Sequence, residues 1–188
     1  MEKIKKYFKK YQAFTEQDWH MVSSKLALKQ FPKKTLLLEK GETENYVSFI
    51  ESGIVRYYIP RENNDITFEI TFENEFMGAY DSFLTRLPSI YNVETITPAT
   101  LWRLTYDDIQ TIYRETEMGN TISRLAAEAL FLEKSKRELA LLTLTPEHQY
   151  LNLFTEQPDL IKKIPLKYIA SYIGITPQAL SRIRKRIS

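Results

Sequence analysis

Three polar side chains near the end of the chain have the types and spacing to read nucleic-acid bases. Gln178, Ser181 and Arg182 are three and four positions apart, so on a helix they share one face. A Gln can pair twice with adenine N6 and N7, and an Arg with guanine O6 and N7; a Ser hydroxyl suits a base edge or the backbone. Basic residues surround them. Lys163, Lys167, Arg184, Lys185 and Arg186 have the charge to neutralise phosphates or to stand solvated. Thr176 offers a hydroxyl beside the free amides of a helix start, a combination that suits a phosphate.

Other chemistry is scarce. The 188 residues contain no Cys, which removes disulfides, thiolate metal sites, Cys-bound iron–sulfur clusters and cysteine nucleophiles together. His20 and His148 are the only histidines, and both lie outside the expected strands. A metal-dependent jelly-roll oxygenase or isomerase therefore lacks its ligands. No glycine-rich phosphate loop and no nucleophile beside a His is present. The sequence thus leads to the expectation of no enzyme, no metal and no cofactor.

The element that must position the base-reading residues is Ile164-Pro-Leu-Lys-Tyr-Ile-Ala-Ser-Tyr-Ile-Gly-Ile-Thr-Pro-Gln-Ala-Leu-Ser-Arg-Ile-Arg184. A helix-turn-helix needs a small residue where its helices cross, and Ala170 supplies it. Four residues on, Gly174 allows positive φ in the turn. Ile169, Ile173, Ile175, Leu180 and Ile183 are apolar at the flanking positions, Thr176 is a good N-cap, and Pro177 suits the first helical position. A plain helical hairpin also favours glycine in its turn; the joint placement of Ala, Gly and five apolar residues favours the DNA-reading unit.

Charge agrees with that placement. The formal charge of +2 hides a split, because Leu160 to Ser188 holds seven basic and no acidic residues; the last 29 residues carry +7 and the rest −5. Such a basic end suits nucleic acid or anionic lipid, and equally the dipole of a C-terminal helix. No apolar run approaches the roughly 18–20 residues of a membrane span. The lysines of Met1 to Lys10 precede no apolar stretch, so a cytoplasmic protein without a membrane partner is expected.

The remaining pattern divides by period. The first 30 residues read as helix, with Ile4, Phe8 and Tyr11 inward and Thr15 as an N-cap. Residues 35–38, 46–50, 54–59, 66–72, 92–96 and 99–104 are rich in β-branched and aromatic types between turn signals, as in a sandwich or jelly roll. Thr105 caps a further helix, and a longer one follows from near Thr116 to Leu142. On it Met118, Ile122, Leu125, Ala129, Leu132, Lys136 and Leu139 recur every three or four residues. This seam predicts self-association through Ile122, Leu125, Ala129, Leu132 and Leu139, or else packing on the barrel. Helices are also expected near 146–157, 165–173 and 177–187.

These parts in this order resemble the Crp/Fnr superfamily of bacterial transcription regulators over nearly the full length. Leu37-Leu-Glu-Lys-Gly-Glu42, Tyr46 to Ile50 and Glu51-Ser-Gly-Ile-Val-Arg56 resemble its early strands and glycine turns. Glu75-Phe-Met-Gly78 resembles the start of its phosphate-binding cassette, and Leu142-Thr-Leu-Thr145 its hinge. The resemblance implies an α+β fold: an N-terminal jelly-roll (double-stranded β-helix) sensor domain over 1–115, a dimerisation helix and hinge over 116–144, and a helix-turn-helix domain over 145–188. It also implies sequence-specific binding to palindromic double-stranded DNA as a homodimer. The given sequence ends at Ser188, just after the second reading helix, so the family's β-hairpin wing is expected to be reduced or absent.

Departures from the family concern the effector. Its cyclic-nucleotide binders continue the cassette as Gly-Glu-Leu and later carry Arg-Ser-Ala, whose Glu and Arg hold the ribose and the phosphate. Here Gly78 is followed by Ala79 and Tyr80, and Ser89-Ile-Tyr91 aligns with Arg-Ser-Ala. Arg86, three residues earlier, is the one nearby cation that a shift would bring in. Without a cation, a buried phosphate lacks compensation, so tight cAMP or cGMP binding is not expected. Gly78, Ala79, Tyr80, Arg86, Ser89 and Tyr91 remain the candidate pocket for another small-molecule effector. Tyr80, Phe83, Tyr91 and Trp102 either line an aromatic pocket there or belong to the core. An activator would further need a surface for RNA polymerase, which no motif marks. The alternative function is a ligand-binding sensor or scaffold whose helix-turn-helix serves protein contacts.

Overall fold

The computed structural model of the chain describes residues 1–187. Helix α1 (Glu2–Lys9) buries Ile4 and Phe8 and leaves its lysines on the other side, as the spacing predicts. Helix α2 (Glu16–Ser23) starts in a reciprocal cap. The Asp18 amide donates to the Thr15 hydroxyl at 3.0 Å, and the Thr15 amide donates back to the Asp18 carboxylate at 3.2 Å.

Eight strands follow among the described residues: β1 (Ala27–Phe31), β2 (Leu36–Leu38), β3 (Tyr46–Ser52), β4 (Val55–Ile59), β5 (Ile66–Thr71), β6 (Phe76–Met77), β7 (Asn92–Thr95) and β8 (Ala99–Thr105). They form two four-stranded sheets in the orders β1-β8-β3-β6 and β2-β7-β4-β5, a β-sandwich. The β3–β4 turn depends on Gly53. Its φ is +112°, and an added Cβ would lie 2.7 Å from the Ala99 Cα, so a side chain is excluded by conformation and by space. Helix α3 (Tyr80–Thr85) interrupts the strands, and α4 (Tyr106–Glu115) closes them.

Helix α5 (Glu117–Thr143) leads to α6 (Pro146–Glu156), α7 (Pro158–Lys163), α8 (Leu166–Tyr172) and α9 (Pro177–Ile187). The sequence expectation of helix through residue 30 is corrected by β1. Of its residues Ala-Leu-Lys-Gln-Phe only Phe31 favours a strand by type, and pairing with β8 at Leu28↔Trp102 and Gln30↔Thr100 decides the outcome. The short β6, α3 and α7 also lay outside the sequence pattern.

The chain divides into two compact units, residues 1–57 with 70–129, and residues 58–69 with the chain from Leu130 onward. In the first, one hydrophobic cluster lies on one face of the β1-β8-β3-β6 sheet, while Ile50, Leu101, Val55 and Val93 are buried outside it. Phe49 and Leu104 meet Ile4, Phe8, Val22, Ile109, Ile112, Met118 and Ile122 in that cluster, with Tyr7, Phe76 and Trp102 packed at the margin. The rings of Phe49 and Phe76 are 5.2 Å apart, edge to face. The second unit buries Tyr150, Leu153, Leu160, Ile164, Ile169, Ala170, Leu180 and Ile183, so each of its short helices gives one stripe to the interior.

Candidate nucleic-acid interface

Within the second unit, α8 and α9 are joined by a tight turn. Ala170 is fully buried, which lets the two helices approach. Gly174 has φ +78° with open space around its Cα, so the backbone conformation alone selects glycine here. Helix α9 begins at Pro177 after Thr176, whose hydroxyl accepts a hydrogen bond from the Ala179 amide at 3.2 Å. Leu180 and Ile183 fix the inner face of α9, and the outer face follows from helical spacing.

That outer face carries Gln178, Ser181, Arg182 and Lys185, all exposed. Among the described residues none of these four is held by a hydrogen bond or an ion pair. The other basic residues differ. Arg186 is paired with Glu147 at 2.6 Å, and Lys163 with Asp159 at 2.9 Å one helical turn away. Lys167 leans over the Tyr168 ring at 4.8 Å. Arg184 is exposed. An open groove of about 780 Å³ is lined by Pro146, Ile175, Ala179, Arg182, Ile183 and Lys185.

The candidate effector residues lie in the first unit, and their polar groups are occupied. Ala79 is fully buried, and Ser89 and Tyr91 nearly so. The Gly78 amide donates to the Tyr57 hydroxyl at 3.0 Å, and the Ala79 amide to Glu44 Oε2 at 3.2 Å. The Tyr91 hydroxyl donates to Asp81, and the Ser89 hydroxyl donates to the Tyr91 carbonyl at 2.8 Å. Burial pushes the Tyr57 and Tyr91 hydroxyls well above the usual phenol range and Tyr80 up to about 12, so all three stay neutral. Tyr80, Phe83 and Trp102 pack in or against the core of this unit.

Arg86 is the C-cap of α3, with φ +59°. Its Nη1 donates to the Glu44 carbonyl at 2.7 Å and the Phe83 carbonyl at 3.2 Å, and the guanidinium lies 4.2 Å over the Tyr106 ring. Two residues escaped sequence reasoning. Glu44 is buried and accepts from the amides of Tyr46 at 3.0 Å and Ala79. Burial raises its carboxyl above the ordinary Glu range against the pull of those bonds. Arg103 stacks 3.5 Å over the Tyr46 ring, and its buried Nε has no hydrogen-bond partner among the described residues. Burial lowers its guanidinium from the usual range. An Arg two residues beyond inward Leu101 was the available signal.

Helix α5 carries the predicted seam unevenly. Ile122 is buried in the core of the first unit and Leu125 is half-buried, whereas Ala129, Leu132 and Leu139 are exposed. Phe131 and Leu142 extend that exposed stripe, and Leu132, Leu139 and Leu142 are 67%, 61% and 77% exposed. Lys136 pairs with Glu156 at 3.0 Å. No described helix is long and apolar enough to cross a membrane.

Comparison with known proteins places this arrangement. The family model of the cyclic nucleotide-binding domain matches residues 28–116. No curated protein sequence matches significantly. A protein assigned to the Crp/Fnr family of transcriptional regulators, from Eubacterium rectale, superposes with a TM-score of 0.71 at 15% identity, over 93% of this chain and 83% of that one. FixK2 from Bradyrhizobium japonicum gives 0.71 at 13%, over 86% and 84%. A CooA mutant from Carboxydothermus hydrogenoformans gives 0.68 at 14%, over 94% and 80%. These identities speak for fold. The fold is thus similar to that of these Crp/Fnr-type structures, with residues 28–116 matching the cyclic nucleotide-binding domain and followed by a long helix and a helical C-terminal unit.

Proposed function

We propose that the chain is a sequence-specific regulator of transcription that binds palindromic double-stranded DNA as a homodimer. The observation that carries this reading is the outer face of α9, where Gln178, Ser181, Arg182 and Lys185 are exposed and uncommitted beside a glycine turn. In this reading α8 and α9 form a helix-turn-helix, and α9 enters the major groove with its first turns at the base edges. Gln178 reads adenine, Arg182 reads guanine, and Ser181 touches a base or the backbone. Thr176 accepts the Ala179 amide, which leaves its O–H free to donate to a phosphate. Lys185, Lys167, Lys163, Arg184 and Arg186 complete the phosphate contacts, the last only by exchanging Glu147 for DNA.

The exposed apolar stripe of α5 through Leu132 and Leu139 supports the dimer. Two copies of α9 then meet half-sites about one DNA turn apart. A cyclic nucleotide is not the chain's effector, because the Gly78 and Ala79 amides are given to Tyr57 and Glu44 and Arg86 to the Glu44 and Phe83 carbonyls. The testing experiment is selection of bound duplexes from a random pool by the purified full chain. A palindromic consensus with a steep salt dependence of binding is expected. Enrichment of no sequence, or binding with a flat salt slope, would overturn the reading.

A further inference from the structure

The end of α8 is held from two sides within the second unit. Ser171 and Tyr172 are its last two residues. The Ser171 hydroxyl accepts the Thr67 amide at 2.8 Å and donates to the Asp65 carbonyl at 2.5 Å. One residue on, the Tyr172 carbonyl is among those a helix end leaves without an internal partner. Arg137, near the end of α5, fills that role with Nη2 at 2.7 Å. Its Nε donates to the Phe68 carbonyl at 3.1 Å, and its guanidinium lies 3.6 Å over the Tyr172 ring. Lys134, one turn earlier, pairs with Glu69.

Three segments therefore meet on one guanidinium: the last part of α5, the 65–69 segment leading along β5, and the end of α8. Arg suits this role and Lys does not, because a planar fork reaches two carbonyls on separate segments while its face stacks on a ring. The joint lies away from Gln178, Ser181 and Arg182 on the sequence and touches none of them. It does tie α8 to the part of α5 that carries the exposed Leu132, Leu139 and Leu142.

We propose, resting on the reading of the chain as a dimeric DNA binder, that Arg137 and Ser171 are positioning residues that clamp the reading helices to the self-association helix. The clamp sets the distance between the two copies of α9. One half-site needs only α9 itself. A full palindrome needs both copies at fixed separation, and an unclamped head loses the avidity of the second contact. The clamp thereby makes half-site spacing a property of the protein.

The test uses the full chain and the duplex that the wild type selects from a random pool. Companion duplexes hold a single half-site, or the two half-sites moved further apart by stepwise insertion. Arg137→Ala, Arg137→Lys and Ser171→Ala are compared with wild type. Affinity for the full site is expected to fall about 10- to 100-fold in the Arg137 variants. Affinity for the single half-site is expected to stay within about twofold, and the preference for one spacing to flatten. Ser171→Ala gives the same pattern more weakly and guards against unfolding of the larger change. Equal losses on half and full sites, unchanged full-site binding, or tighter full-site binding would each overturn the clamp. If the wild type itself selects no duplex, the DNA-binding reading fails and the clamp falls with it, an outcome distinct from the other three.

Discussion

On α9, Arg182 and Lys185 face solvent side by side, yet their loss should read out differently. In the proposed reading Arg182 makes the bidentate donation that guanine accepts. Arg182→Ala is expected to cost about 1–3 kcal/mol at the selected site and to relax a single base position. Equal weakening on all duplexes, measured by anisotropy titration, would refute base reading. Lys185 offers a point charge, so Lys185→Ala should lower the salt slope by about one ion and leave the sequence preference alone. Arg186 already holds Glu147 at 2.6 Å, and Arg186→Ala should lower the slope less than Lys185→Ala does. The face of α9 was legible because helical spacing and the Gly174 turn are local. The pairing of Arg186 was not, since Glu147 lies 39 residues away. Arg86 was equally hidden. Only the left-handed cap of α3 turns its guanidinium toward the Glu44 carbonyl.

At the scale of elements, α4 hangs on its cap. The Thr105 hydroxyl accepts the Asp108 amide at 3.1 Å, the Thr105 amide donates back to Asp108 at 3.0 Å, and Lys25 stands 3.5 Å away. Burial pulls the Asp108 carboxyl upward, but the Thr105 bonds and Lys25 outweigh it and hold it below the ordinary 3.8. A carboxyl lowered in the folded state stabilises above its unfolded pKa, and that gain is lost as the pH falls through the folded value. Asp108→Ala should therefore cost about 1 kcal/mol at neutral pH, seen as a melting point lower by roughly 2–4 °C. The gap between variant and wild type should close toward pH 3. An unchanged gap would show that the charge of Asp108 does not matter. For α5, Leu132→Glu with Leu139→Glu should convert a dimer to monomers in light scattering at unchanged helicity. A dimer that persists would place self-association elsewhere. Most elements were legible because their periods of 2 and 3.6 differ. Strand β1 was not, because only its pairing with β8 makes Ala27–Phe31 a strand.

For the molecule as a whole, the two ends are readable to different depths. The C-terminal end is marked by sequence-local signals: seven basic residues after Asp159 with no acid among them, and the spacing around Gly174. The N-terminal domain depends on contacts between residues far apart in sequence, and there the fold and the chemistry part. Residues 28–116 match the cyclic nucleotide-binding domain, yet an anion entering the cassette would find its partners taken. The Gly78 amide is given to Tyr57, and the Ala79 amide to Glu44. A cyclic phosphate would have to displace both and then face the Glu44 carboxylate. Arg86 would have to leave the Glu44 and Phe83 carbonyls and the Tyr106 ring to follow it. Each displaced bond to a charged group costs about 1.5–3 kcal/mol, and a buried charge left unpaired costs more. Millimolar cAMP or cGMP should therefore give no heat in calorimetry and no shift in melting temperature, and should leave the affinity for the selected duplex unchanged. Micromolar binding of either nucleotide would show that Tyr57 and Glu44 move aside, and would return the domain to the ligand its fold suggests.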